Sequence, residues 1–193
     1  MKQRYRQPFQ LVPFEVMSCA VAAGKTLEVS GFRQVRSYTC GYAATALVLD
    51  FFGEYVPAAQ LFRRLGTGRD GTRQNAIVRE IRAQGIAASV RYDVGFERIC
   101  NEIDRDKLVV SYLADAEHWV VLYGYSRQPD RVYVADSRPE ESCEHPWKLY
   151  GPRLNQFGIV CSGGGARMAK TGDIRGLAPT IVEGEPKQLS FPF

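Results

Sequence analysis

The sequence has only two histidines, His118 and His145, and its five cysteines (Cys19, Cys40, Cys100, Cys143, Cys161) contain no C-x-x-C pair. An odd count without regular spacing excludes a disulfide framework and a cysteine-built zinc site, and it fits a reducing, cytoplasmic compartment. Cys143 and His145 lie close together, but a structural zinc site needs four ligands in recognisable pairs, so no metal is expected. No apolar run approaches the length of a membrane span. Lys2, Arg4 and Arg6 precede an apolar stretch, and Val16-Met17-Ser18-Cys19-Ala20 hints at a lipid-attachment cysteine. Pro8, Pro13 and Glu15 interrupt that stretch and remove the continuous core a signal peptide needs. Charge of one sign is not gathered anywhere: the net charge is +4, but basic and acidic residues interleave, so no nucleic-acid partner is expected.

What is present is enough apolar and aromatic residue for one globular domain. Residues 1–30 lack steady periodicity and read as an N-terminal arm, with room for a strand or two. Residues 31–150 read as the folded domain. Ala44, Leu47, Val48 and Phe51 give a helix from Cys40 to Phe52, stopped by Gly53. Pro57 opens a second helix that runs to Leu65, and Thr72 caps a third that ends at Gly85. A strand over Ile86 to Tyr92 and a short helix over Phe96 to Ile103 follow. Lys107 to Leu113, His118 to Tyr125 and Arg131 to Asp136 are rich in β-branched and aromatic residues and read as strands. Helices first and strands later argue an α+β fold. Residues 151–193, glycine-rich at Gly163 to Gly165, read as a C-terminal tail with at most one strand. Gly66, Gly68 and Gly71 satisfy G-x-G-x-x-G, but a helical pattern precedes them where a dinucleotide site needs a strand, so this is a loop between helices.

Cys40 falls in the first turn of its helix, where unpaired backbone N–H groups and the helix dipole favour a thiolate. Any Cys-His chemistry must use one of the two histidines. His145 sits in a loop-like Cys-Glu-His-Pro context, whereas His118 opens the apolar run Trp119-Val120-Val121-Leu122 and is fixed by the sheet behind it. Pairing Val120 with Val134 and Leu122 with Val132 sets His118 opposite Asp136 on one face, where the carboxylate can orient the imidazole. Gln34, six positions before Cys40, supplies a neutral amide donor for an oxyanion.

In this order the residues Gln34-x5-Cys40-Gly41-Tyr42-Ala43-Ala44, Gly71-Thr72, His118-Trp119-Val120-Val121-Leu122 and Val134-Ala135-Asp136 resemble the C39, or bacteriocin-processing, cysteine peptidases of the papain-like superfamily. The resemblance spans roughly Phe32 to Glu140. It implies a papain-like fold, a helical half carrying the nucleophile on an antiparallel sheet carrying His and Asp. It also implies hydrolysis of peptide bonds, often after Gly-Gly at the end of a leader peptide, with no metal or organic cofactor. Carried over by position, Gln34 donates to the oxyanion, Cys40 attacks, His118 is base and then acid, and Asp136 orients His118. The expected partners are a peptide or leader-peptide substrate and a separately encoded transporter, because the membrane domain usually fused to such peptidases is not in this sequence. Two departures stand out: Thr39 where the family often has Asp, and Asp136-Ser137 where it has Asp-Pro. A Cys-His-Asp site also serves transglutaminase-like or deamidating transfer, and a non-cleaving peptide-binding module is the remaining alternative.

Overall fold

The computed structural model of the protein describes residues 12–17, by their backbone alone, 23–138 and 143–163. Helices form where apolar residues recur every three to four positions. Helix α1 (Cys40–Phe51) buries Leu47 and Val48 and stops where Gly53 takes φ +76°, a conformation glycine adopts without strain. Helix α2 (Ala58–Leu65) follows Pro57 directly, and α3 (Gln74–Ala83) begins after Arg73. The expected cap, Thr72, lies outside α3; its hydroxyl is engaged by Thr67 at 2.8 Å. Between α2 and α3 the glycine-rich segment is a loop closed by a bridge from Gly68 to Gly71, in line with its helical flanks.

The strands are β1 (Val12–Met17), β2 (Gly24–Thr26), β3 (Val29–Arg33), β4 (Ile86–Arg91), β5 (Leu108–Leu113), β6 (His118–Arg127), β7 (Asp130–Ala135), β8 (Glu144–Pro146) and β9 (Gly158–Gly163). Helix α4 (Phe96–Asp104) joins β4 to β5, and the short α5 (Trp147–Tyr150) follows β8. β1 pairs with β3 alone, while the other seven strands form an antiparallel sheet in the order β4-β9-β5-β6-β7-β8, with β2 also paired to β6. The expected α+β class holds. Every residue from His118 to Ser126 is buried, so both faces of β6 are covered, and α1 and α4 both pack against it. Burying a side chain such as Leu122 or Val121 stabilises the fold by about 1.5–3 kcal/mol each, which makes β6 a rigid base for whatever its ends carry.

Two expectations need correction. The tail assigned to residues 151–193 begins too early, because β9 lies inside the sheet between β4 and β5, with Ile159, Val160 and Cys161 buried. Residues 164–193 lie outside the described residues, as do 1–11 and Cys19. The arm read over residues 1–30 left room for a strand or two, and β2 is one, seated on β6 so closely that a Cβ on Gly24 would stand 2.0 Å from the Tyr125 carbonyl oxygen. The second correction is the β6–β7 register, which is displaced by two residues. Leu122 faces Val134, not Val132, because the hairpin closes on Gln128 and Pro129 alone and a bulge between Leu122 and Gly124 absorbs an extra residue.

Candidate active site

Cys40 is the first residue of α1. The turn that delivers it is closed by Thr39, whose hydroxyl and backbone N–H donate to the Arg36 carbonyl oxygen at 2.8 and 3.1 Å. A threonine is therefore sufficient there without a carboxylate. Close packing brings α1 onto the sheet: a Cβ on Gly41 would lie 2.7 Å from Thr72 Cβ and 2.9 Å from Trp119 Cδ1. Thr72 and Trp119 cannot easily yield, since the Trp119 indole N–H donates to the Thr72 carbonyl oxygen at 3.0 Å and the ring packs edge-on against Tyr112. Gly41 thus lets the start of α1 sit between the Thr72 loop and the start of β6, beside His118.

His118 begins β6 and is buried. Its Nε2 lies 2.7 Å from Asp136 Oδ1, and the side chains are only 4% and 3% exposed. The other nitrogen, Nδ1, is left for Cys40, whose sulfur is the second hydrogen-bond partner of His118. Despite the shifted register, the period of two keeps both residues on one face. Continuing the Leu122–Val134 pairing puts Asp136 level with Val120, two residues along from His118.

Burial alone pushes the Cys40 thiol up, but the hydrogen bond and charge of His118 and the backbone N–H groups of Trp119 and Gly41 outweigh it, so its pKa falls below the ordinary thiol value. For His118, burial works against the charged form, yet the hydrogen bonds and charges of Asp136 and Cys40 prevail and raise it to about 9. Asp136 also resists its burial: hydrogen bonds from His118 and Arg138 hold it down to about 2. These directions favour a thiolate–imidazolium pair anchored on a carboxylate.

Sequence reasoning missed two members of the cluster. Arg138 grips the Asp136 carboxylate with Nη2 to Oδ2 at 2.7 Å, Nε to both oxygens at 3.2 Å and its backbone N–H to Oδ1 at 2.9 Å. Ser137 holds Gln34: the Gln34 N–H donates to the Ser137 carbonyl oxygen at 2.9 Å, and the Ser137 hydroxyl donates to Gln34 Oε1 at 2.7 Å. The only sequence signal for either was adjacency to Asp136. Cys40, His118, Asp136 and Arg138 thus form one chain of contacts, and Gln34 is held on Ser137, the residue that follows Asp136 in sequence. His145 is not part of it and stacks on Tyr150 at 4.2 Å. Cys100 and Cys161 are buried, and that burial pushes both thiols up to about 12. Among the described residues no three His, Cys, Asp or Glu side chains gather as a metal site, and no helix is long and apolar enough to cross a membrane.

The profile of the Peptidase_C39 like family matches residues 26–157. No curated protein matches the chain. Among solved structures, the chain is similar to a double glycine motif protease from an AMS/PCAT transporter, determined in complex with the leader peptide. The TM-score is 0.59 at 20% identity, over 75% of this chain and 97% of that one. It is also similar to the peptidase domain of Streptococcus ComA, a bi-functional ABC transporter involved in a quorum sensing pathway, with TM-score 0.56 at 18% identity, over 68% of this chain and 96% of that one. At these identities the likeness shows a shared fold, the papain-like packing of a helical half on an antiparallel sheet.

Proposed function

We propose, from the premise that the chain belongs to the Peptidase_C39 like family, that it is a cysteine peptidase with Cys40 as nucleophile. The observation that carries this reading is the chain of contacts from the Cys40 sulfur through His118 to Asp136. In the proposed reaction the Cys40 thiolate attacks the scissile carbonyl carbon, and the resulting oxyanion accepts hydrogen bonds from Gln34 Nε2 and a backbone N–H at the start of α1. His118 gives its Nδ1 proton to the leaving amine as the C–N bond breaks. It then takes a proton from the water that hydrolyses the thioester, which releases the acid and restores the thiolate pair. Asp136 keeps Nε2 protonated and the ring aligned throughout.

For substrate we carry over a leader peptide cut after Gly-Gly. Family membership supports this, as does the double glycine motif named for one structural neighbour. Release of the product to a transporter in a reducing, cytoplasmic setting completes the proposal. The test is mass spectrometry of a leader-type peptide series incubated with wild type and Cys40→Ala. Cleavage by wild type alone is expected. Amide-to-acid conversion or crosslinking without cleavage would replace hydrolysis by transfer, and equal binding without turnover by either protein would reduce the site to a peptide-binding module.

A further inference from the structure

Gln34 is useful as an oxyanion donor only if its amide presents nitrogen, not oxygen, to the reacting centre. A glutamine side chain has three rotatable bonds and two amide faces of nearly equal shape, so something must choose between them. Here Ser137 anchors the amide. Its hydroxyl donates to Oε1 at 2.7 Å, and its carbonyl oxygen accepts the Gln34 backbone N–H at 2.9 Å, a two-point hold from a residue that is only 6% exposed. A hydroxyl can also accept, so the face is set by the Ser37 carbonyl, which only accepts. Nε2 lies 3.5 Å from the Ser37 carbonyl oxygen, and a flipped amide would put two oxygens against each other. The second Nε2 hydrogen has no partner among the described residues, so a donor is left free. Ser137 also follows Asp136 directly, which ties the amide to the same segment that orients His118.

We propose that Ser137 is a positioning residue for the amide donor, holding Gln34 with Nε2 turned toward the oxyanion that forms on attack by Cys40. The inference rests on Cys40 being the nucleophile. It predicts a split between two reactions of the same thiolate. With p-nitrophenyl acetate the sulfur bonds to the ester carbonyl carbon and the carbonyl oxygen takes the negative charge. Collapse then expels p-nitrophenolate and leaves an acetyl thioester. With iodoacetamide the sulfur bonds to the methylene carbon and displaces iodide, with no oxyanion at any point. Only the first reaction needs Gln34.

Ser137→Ala should therefore slow acetylation of Cys40 by about tenfold while alkylation stays within about twofold of wild type. Ser137→Thr keeps the hydroxyl and should restore acetylation. Gln34→Ala should slow acetylation at least as much, and adding Ser137→Ala to it should change nothing further, because coupled residues are not additive. Equal loss of both reactions in Ser137→Ala would mean a general structural role and overturn the inference, as would acetylation unaffected by Ser137→Ala. Wild type that shows no acetylation above Cys40→Ala would overturn the nucleophile reading itself, and this inference with it.

Discussion

The His118 imidazole and the Asp136 carboxylate meet at 2.7 Å as diagonal neighbours across the β6–β7 hairpin, not as directly opposed residues. The contact is buried, so it is weakly screened, and it falls on the nitrogen that leaves Nδ1 facing Cys40. Its strength should be legible in the titration of His118. In wild type, burial opposes the charged ring but Asp136 and Cys40 together raise it to about 9. Asp136→Asn keeps an acceptor oxygen and removes the charge, so the His118 titration should fall markedly toward the ordinary imidazole range. Proton NMR reads this directly because only two imidazoles are present, and His145→Gln identifies the other. A His118 titration unmoved by Asp136→Asn would contradict the coupling.

The parts of this site that follow local periodicity were legible before the structure. Cys40 at a helix start and His118 at a strand start come from apolar patterns that the core enforces. The shared face of His118 and Asp136 was also legible, since a two-residue slip leaves the period of two intact. The slip itself was not, because a bulge at Tyr123 and a turn of only Gln128 and Pro129 leave no mark in hydrophobic alternation. β9 was hidden by composition: its buried Ile159-Val160-Cys161 run leads straight into glycines that read as tail. Ser137 and Arg138 were invisible for another reason. Ser137 meets a residue 103 positions away, and Arg138 acts on a carboxylate whose burial no local pattern discloses.

Arg138 sets the acid limit of the site. A buried carboxylate is costly unless its lone pairs are filled, and Arg138 fills several of them. Burial raises Asp136, while His118 and Arg138 pull it down to about 2. Since the folded pKa lies below the unfolded one, the stabilisation is present above the ordinary carboxylate range and is lost as pH falls through about 2. In Arg138→Gln the folded carboxyl rises toward its unfolded value, so the variant should melt below wild type near neutral pH, and the gap should narrow as pH falls below about 4. His118 has the opposite sign: its contribution is present below its ordinary imidazole value and fades as pH rises through about 9. Identical acid limbs in the two proteins would remove Arg138 from this role.

Gly41 should tolerate no side chain. A methyl there lies 2.7 Å from Thr72 Cβ and 2.9 Å from Trp119 Cδ1, both held by the indole hydrogen bond. Gly41→Ala should cost about 1–3 kcal/mol through overpacking and should also slow Cys40 alkylation, because α1 must back away from β6. Gly68→Ala is the comparison, since a Cβ there meets nothing within 4 Å. Chemical denaturation of the three proteins measures the difference, and equal midpoints for Gly41→Ala and wild type would refute the packing argument.

The reactivity of Cys40 is the last test, and it separates environment from mere presence of a thiol. Burial works against the Cys40 thiolate, but His118 and the N–H groups of Trp119 and Gly41 reverse the sign and bring its pKa below the ordinary value. For Cys161 burial has no counterweight, and for Cys100 the charge of Arg127 does not offset it, so both stand near 12. Iodoacetamide at neutral pH should label Cys40 first and leave Cys100 and Cys161 unmodified in the folded protein, as peptide mapping would show. His118→Ala removes the largest of the groups that favour the thiolate. Cys40 alkylation should then fall by about tenfold or more in mildly acid solution and recover as pH rises toward the ordinary thiol range. A rate that followed the same pH curve with and without His118 would show that the imidazole does not stabilise the thiolate, whatever the geometry between them.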